Sequence, residues 1–201
     1  MNILNRTVGL LATALCLALP VAAQSAGKAG NEAPMAKALE SAMTPGEGHK
    51  RLTPLIGTFN VAIKMWVTPE GPPIESTAAS VNTWVLGERF VQMMLNGDAP
   101  NAPFNGTGHI AYDNVTKNYQ AAWMDTGSTA ITLYTGKLDA SGKSALLKGS
   151  IPNALTGKAS PVELRMTIQP DGSHLTQLWG QGKGKSAKMV KLMELQYTKV
   201  K

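Results

Sequence analysis

Residues 108–125, Gly-His-Ile-Ala-Tyr-Asp-Asn-Val-Thr-Lys-Asn-Tyr-Gln-Ala-Ala-Trp-Met-Asp, predict one β-hairpin. Apolar residues alternate up to Tyr112, a turn-forming cluster follows at 113–118, and alternation resumes from Tyr119 to Trp123. Asp and Asn residues between two alternating runs are typical of a turn between antiparallel strands. The hairpin therefore sets the expectation for the rest of the chain, which is short strands joined by tight turns.

The same alternation recurs along most of the chain. Its clearest example is the segment Val162 to Ile168, in which the even-numbered residues are apolar and Glu163, Arg165 and Thr167 are polar. Turn-forming Gly, Asp, Asn and Ser residues separate the segments. The predicted strands cover residues 59–67, 74–86, 89–96, 106–112, 118–125, 129–138, 144–150, 162–168, 173–181 and 186–198. Ten short strands without a long amphipathic helix predict an all-β, antiparallel barrel or sandwich.

The N-terminal residues have the layout of a secretory signal peptide. Arg6 supplies positive charge, residues 8–19 are almost entirely apolar, and small residues lead to a predicted cleavage site after Ala23. The alternative is an uncleaved N-terminal anchor. No later segment has the length and apolarity of a membrane span, so no stable membrane insertion is expected after signal removal. We therefore expect an exported protein, periplasmic or secreted.

Three regions follow from this pattern: a signal peptide at 1–23, a flexible leader at 24–48, and a β-barrel domain at 49–201. The leader is rich in Ala, Gly, Pro and Lys, with one or two helical turns expected near 36–43. Residues 49–57 predict a short helical lead-in that stops at Gly57. The only cysteine, Cys16, lies in the signal, so the exported chain is expected to fold without disulfides.

The chain is basic, with 19 Lys and Arg against 13 Asp and Glu. The densest run of positive charge is Lys183, Lys185, Lys188 and Lys191. Nucleic-acid binders concentrate such charge and interleave it with aromatic residues, which this run lacks. Lysines at these positions are more typical of a solvated loop or strand edge, and no nucleic-acid partner is expected.

A resemblance to a known family rests mainly on two motifs, and Leu86-Gly-Glu-Arg-Phe-Val is a third, shorter similarity. The first is His49-x-x-Leu52-x-x-Leu55-x-Gly57-x-Phe59, which resembles the opening signature of the domain of unknown function 1579 family. The second is the hairpin, whose Gly108, Tyr112-Asp113 and Trp123-x-Asp125 are similar to that family's central segment. One departure is Phe59, which stands where the family usually has tryptophan; this keeps an aromatic ring but loses an indole donor.

The resemblance covers residues 49–197 and implies a single calycin-like, lipocalin-like antiparallel barrel with a short helical lead-in. It implies no activity. The motif residues are interpreted as structural: His49, Gly57, Phe59, Gly108, Tyr112, Asp113 and Asp125.

Asp125-Thr-Gly-Ser128 looks like the catalytic loop of an aspartic protease. Such enzymes need two aspartates that share a proton, and this chain has one copy of the motif. Asp, Gly and Ser between two strands are also ordinary turn residues. No catalytic residue is assigned. An enzyme at the barrel mouth, built around Asp125, Asp113 and His49, stays open as an alternative.

The three histidines, His49, His109 and His174, show no metal-binding spacing and have no cysteine to assist them. No metal and no cofactor are predicted, although a site formed by residues distant in sequence is not settled by spacing. The sequence also lacks a Gly-x-Ser-x-Gly elbow and a phosphate-binding glycine loop before a helix.

Methionine and tryptophan dominate the remaining candidates. Methionine adapts to irregular cavities, and a barrel of eight or more strands has room for one small ligand. The favoured function is therefore non-catalytic binding of a small apolar or amphipathic ligand. A solid-cored scaffold or interaction module is the other alternative, and the oligomeric state is not predicted. The candidate lining residues are Trp66, Trp84, Met93, Trp123, Met124 and Trp179.

Overall fold

A computed structural model of the protein describes residues 32–99, 102–154, 156–182 and 188–201. Ten strands form one closed antiparallel barrel, which confirms the predicted all-β fold. The predicted signal peptide at 1–23 and the first part of the predicted leader, 24–31, lie outside the described residues, as do Lys183 and Lys185 of the lysine run. The strands are β1 (Gly57–Met65), β2 (Ile74–Val85), β3 (Phe90–Ala99), β4 (Ala102–Asp113), β5 (Asn118–Asp125), β6 (Thr132–Leu138), β7 (Ser144–Pro152), β8 (Ala159–Ile168), β9 (His174–Gln181) and β10 (Met189–Lys199).

Each strand pairs with its neighbour in the chain, and a seam between β1 and β10 closes the barrel. At this seam Phe59 lies opposite Lys199, and Met65 lies opposite Met193. The register of β10 shifts between Lys191 and Met193, where a bulge interrupts its pairing with β9. Closure leaves no unpaired strand edge along the wall, which removes the usual site of strand-to-strand aggregation.

The barrel has two different ends. We call the end at which β1 begins the closed end; it also holds the turns β2–β3, β4–β5, β6–β7 and β8–β9. We call the opposite end the mouth; it holds the turns β1–β2, β3–β4, β5–β6, β7–β8 and β9–β10. Because all neighbouring strands are antiparallel, a residue's place along its strand fixes the end to which it belongs.

Helical structure before the barrel is longer than the sequence predicts. Helix α1 (Glu32–Met43) has three turns rather than one or two, and it buries none of its residues. Its C-terminal end is held to the barrel by Asn114, whose Nδ2 donates to the carbonyls of Ser41 and Thr44 at 2.9 and 2.7 Å. Among the described helices, none is long and apolar enough to cross a membrane.

A plug segment, residues 47–55, covers the closed end. It consists of helix α2 (Glu47–Lys50) and a 3-10 helix (Thr53–Leu55). Leu52 is fully buried, Leu55 is almost so, and both belong to the larger apolar core. Burying two leucine side chains favours the closed arrangement by about 4 kcal/mol before the cost of ordering the segment. The plug therefore acts as the floor of the barrel.

Candidate functional site

The interior of the barrel is hollow. A cavity of about 440 Å³ begins at Leu55 on the plug segment and reaches the turns of the mouth. This volume lies within the range of small-molecule sites. Asp98, Gly127 and Ser128 line the mouth and are exposed, so the cavity opens to solvent there. Most of its wall is apolar, including Ile63, Met65, Met93, Leu95, Phe104, Ile110, Leu164, Met166, Leu178 and Leu195.

At the mouth, the protease-like segment forms a turn. Both carboxylate oxygens of Asp125 accept hydrogen bonds, one from Trp123 Nε1 at 2.7 Å and one from the Gly127 amide at 2.9 Å. Thr126 is tied to β4, because the Asn105 amide donates to its hydroxyl at 3.1 Å. Asp125 therefore orients the turn and the indole ring of Trp123, as a side-chain-capped turn does.

The Trp123 ring needs the glycines of β4. Trp123 lies opposite Gly108 in the β4–β5 pairing, and its ring covers Gly106 and Gly108. A Cβ added at Gly108 would lie 2.6 Å from Trp123 Cε3, closer than van der Waals contact permits. The glycines and the Asp125 bond together hold the indole flat against the wall, where it lines the cavity.

His174 occupies the deep part of the cavity, at the start of β9. Only 3% of its surface is exposed, and its ring stacks on Tyr197 with 4.1 Å between the ring centroids. Phe59 meets the same imidazole edge-on at 5.1 Å. These two aromatic contacts fix the ring in one orientation on the cavity wall.

The hydrogen bond of His174 settles which nitrogen carries the proton. Nδ1 lies 3.2 Å from the Gly172 carbonyl, which only accepts hydrogen bonds. Nδ1 therefore donates, and Nε2 of the neutral ring keeps a free lone pair. Burial, with Lys199 assisting, lowers the pKa of His174 to about 4 against the opposing effect of the Gly172 bond. The imidazole is therefore neutral at neutral pH.

Two tyrosines add further polar atoms to the cavity wall. Burial, helped by the charge of Asp125, raises the pKa of Tyr134 to about 12. Burial also raises the pKa of Tyr197. Both phenols line the cavity and stay protonated at neutral pH. The interior thus offers uncharged hydrogen-bonding groups set in an apolar wall.

The predicted lining residues divide between the two faces of the wall. Met93 and Trp123 line the cavity. Trp84 is not among the lining residues of the cavity. It is partly buried and packs against the larger apolar core. Trp66, Trp179 and Met124 are not among the lining residues, because alternation along or just beyond their strands directs them outward.

The two outward tryptophans have partners on the outer surface. Trp66 lies 4.8 Å from Lys191 Nζ, and Trp179 lies 4.3 Å from the guanidinium carbon of Arg165. Lys191 also donates to Glu194 at 2.7 Å. These rings cover cations on the barrel exterior, so they are unavailable to a ligand inside.

The three residues of the alternative catalytic site lie at different ends of the barrel. Asp125 ends β5 at the mouth, whereas Asp113 pairs with Asn118 at the closed end. Seven residue steps along a strand span about 24 Å. His49 also lies at the closed end, in the plug segment. The three side chains therefore do not form one site.

Each of these separated residues has a local structural contact. Asp113 accepts hydrogen bonds from the Val115 amide and the Thr116 hydroxyl at 2.8 and 2.7 Å. His49 Nδ1 accepts from the Gly46 amide at 3.1 Å, and its ring meets Tyr112 edge-on at 5.8 Å. His109 lies on β4. Within the described ranges, no group of three or more His, Cys, Asp or Glu is placed to hold a metal ion.

Comparison with known protein families matches most of the chain to one family model. A family model described as a protein of unknown function (DUF1579) matches residues 44–199. The chain belongs to the DUF1579 family. The matched region takes in the plug segment and all ten strands, which confirms the resemblance found in the sequence. No curated protein matches the chain.

The structure gives physical roles to the family motifs. Leu52 and Leu55 form the floor, and Gly57 adopts a φ of +139° that directs the chain from the plug into β1. Phe59 is fully buried beside His174. In the second motif, Gly108 provides space for Trp123. Both DUF1579 motifs therefore build the plug and the wall of the cavity.

Sequence reasoning missed the polar residues of the interior. His174, Thr176 and Leu178 share one face of β9, and that face lines the cavity. One sequence signal could have identified them. Residues 174, 176 and 178 alternate along β9, so His174 and Thr176 share a face with the apolar Leu178. Alternation identifies the face but does not show whether it meets packed side chains or open space.

Proposed function

We propose that this exported barrel binds one small apolar or amphipathic molecule in its interior without chemical conversion. The observation that supports the proposal is the apolar cavity of about 440 Å³, open at the mouth and closed by the plug segment. An apolar molecule gains roughly 25 cal/mol for each Å² of surface that it removes from water. The depth of the cavity, from Leu55 to Ser128, allows most of a small molecule's surface to be buried.

The polar groups of the site support binding rather than catalysis. Asp125, the carboxylate of the protease-like motif, uses both oxygens to hold Trp123 and Gly127. A general acid or base must lie within hydrogen-bond reach of the proton that it transfers, together with the other groups of its site. Asp113 and His49, which would complete such a site, lie at the other end of the barrel.

Localisation is part of the proposal. The signal-like residues 1–23 favour export, which would place the barrel where small apolar molecules need protection from water. Expression of the full chain, followed by cell fractionation and N-terminal sequencing, tests this. A mature terminus near residue 24 in the exported fraction supports export, and an intact Met1 in the cytoplasm contradicts it.

Ligand binding is tested by filling the cavity. Purified protein is titrated with N-phenylnaphthylamine, an uncharged probe that fluoresces in apolar sites. Thr176→Phe places a ring in the cavity, because Thr176 lines it. Thr167→Phe is the matched control, since Thr167 is exposed on the neighbouring strand. We expect Thr176→Phe to weaken probe binding at least tenfold and Thr167→Phe to leave it unchanged.

Melting curves of both variants show whether each retains the fold. Native mass spectrometry after incubation with a lipid extract provides a second measurement, in which the wild type retains a bound molecule. Probe binding that is equal in both variants, with no retained molecule, would overturn the proposed function.

A further inference from the structure

The cavity wall carries a hydrogen-bond acceptor to which no described residue donates. The hydrogen bond of the His174 ring is made by Nδ1, and Nε2 has no partner among the described residues. No polar side-chain atom that the described protein fully encloses is left unpaired, so Nε2 is open to the cavity that His174 lines. A ligand that covers Nε2 without a donor would leave this acceptor buried and unpaired, which is costly, so a ligand that supplies a donor gains affinity.

The charges of the cavity have one sign. Asp98 and Asp125 line the mouth, whereas the described lining residues include no lysine and no arginine. Asp125 also acts on the interior, because its charge contributes to the raised pKa of Tyr134, whereas the charge of Lys199, which is outside the lining, contributes to the lowered pKa of His174. A ligand carboxylate would have to pass the two aspartates at the mouth and would lose its hydration in a cavity whose described lining contains no cation. An uncharged ligand avoids both costs.

We infer that the cavity selects an uncharged apolar molecule bearing a hydroxyl group, that this hydroxyl donates to His174 Nε2, and that the matching carboxylate is disfavoured. This inference rests on the proposed function and specifies its ligand class. His174 is well suited to the role, because Tyr197 and Phe59 hold its ring in place. The acceptor is thus preorganised, which reduces the ordering cost of binding.

Three ligands, each built on a chain of twelve carbons, separate the contributions. Dodecanol offers a donor, dodecyl methyl ether lacks one, and dodecanoate carries a charge. Each is used at neutral pH to displace N-phenylnaphthylamine from the wild-type protein. We expect dodecanol to bind about fivefold more tightly than the ether, the effect of one hydrogen bond. We expect dodecanol to bind at least tenfold more tightly than dodecanoate.

Two variants assign the preference to one atom. His174→Phe keeps an aromatic ring beside Tyr197 but removes the acceptor, so the dodecanol-to-ether ratio should fall to about one. Thr167→Val, at an exposed position on the neighbouring strand β8, removes a hydroxyl outside the cavity and should keep the preference. The wild-type ratios test the inference even if His174→Phe does not fold.

The outcomes separate the inference from the proposed function. If the probe and all three ligands fail to bind, the proposed function is wrong. If the probe binds but dodecanoate matches or exceeds dodecanol, the cavity does not select uncharged ligands and the inference is overturned. An unchanged dodecanol-to-ether ratio in His174→Phe would overturn the assignment of the acceptor.

Discussion

The closed end and the mouth of this barrel are built differently. At the closed end, Leu52 is completely buried, and the Asn82 side chain donates to the Leu55 carbonyl at 2.9 Å. Ser80 completes this connection, since its hydroxyl donates to Asn82 Oδ1 at 2.8 Å. At the mouth, Asp98 and Ser128 are exposed and border open space. The closed end is therefore tightly packed, whereas the mouth, through which a ligand would enter, is not.

This difference between the two ends implies that the closed end contributes mainly to the stability of the fold and the mouth mainly to ligand binding. The plug segment is held by buried leucines and by hydrogen bonds from Asn82 and Tyr119, whose hydroxyl donates to the Gly48 carbonyl at 2.9 Å. The cavity side chains have fewer neighbours on the side that faces empty space. Substitutions at the closed end should therefore alter the free energy of unfolding, and those near the mouth should alter mainly ligand affinity.

The largest expected effect compares two leucines. Leu52→Ala removes a fully buried side chain from the floor and should lower the free energy of unfolding by about 3 kcal/mol. Leu164→Ala, at a half-buried position that already borders the cavity, should cost about 1 kcal/mol. Urea denaturation measures both values. Equal losses would show that the two regions are packed alike.

Acid should weaken the protein through His174. The folded-state pKa of about 4 lies below the ordinary value of 6.5, so the unfolded chain binds a proton that the folded chain excludes. This contribution is complete above pH 6.5 and is lost as the pH falls through 4. It amounts to about 3 kcal/mol.

His174→Phe provides the comparison for this pH dependence, because it cannot take up the proton. Urea midpoints measured between neutral pH and pH 4 should fall less steeply for the variant than for the wild type. Parallel curves for the two proteins would mean that His174 titrates normally in the folded state.

The smallest expected effect is at the mouth. Asp125→Ala removes the acceptor of Trp123 Nε1 and of the Gly127 amide and should cost about 1 kcal/mol. Its clearer consequence should be a shift in Trp123 fluorescence and a change in probe affinity of a few fold, since this ring lines the cavity. Asp125→Asn keeps one acceptor and should show a smaller change. If Asp125→Ala lowered the free energy of unfolding as much as Leu52→Ala, the proposed difference between the closed end and the mouth would be contradicted.

Most of the fold could be predicted from local patterns. Two-residue alternation located all ten strands, and the predicted strand at 118–125 matches β5 at both ends. Alternation also separates Trp123 from Met124, because successive side chains point to opposite faces. Both are nevertheless lining candidates in the sequence, because alternation alone does not indicate which face of a closed barrel meets the interior.

The cavity could not be predicted from local sequence patterns. Its volume depends on how ten inward faces meet, including Gly108 beneath Trp123 and the shift of β10 at Met193. The role of His174 likewise depends on Tyr197 and Phe59, which are distant in the chain. The separation of Asp113 from Asp125, by contrast, follows from the predicted hairpin, since one lies at its turn and the other at a strand end.

The seam between β1 and β10 has a consequence for how the chain folds. Phe59 pairs with Lys199, so the contact that completes the wall joins almost the first and the last residues of the barrel. Until β10 has emerged, β1 and β9 present open edges that invite intermolecular pairing. Contacts of such long range also slow folding. A chain with this topology is expected to depend on protection of these edges until its final strand arrives.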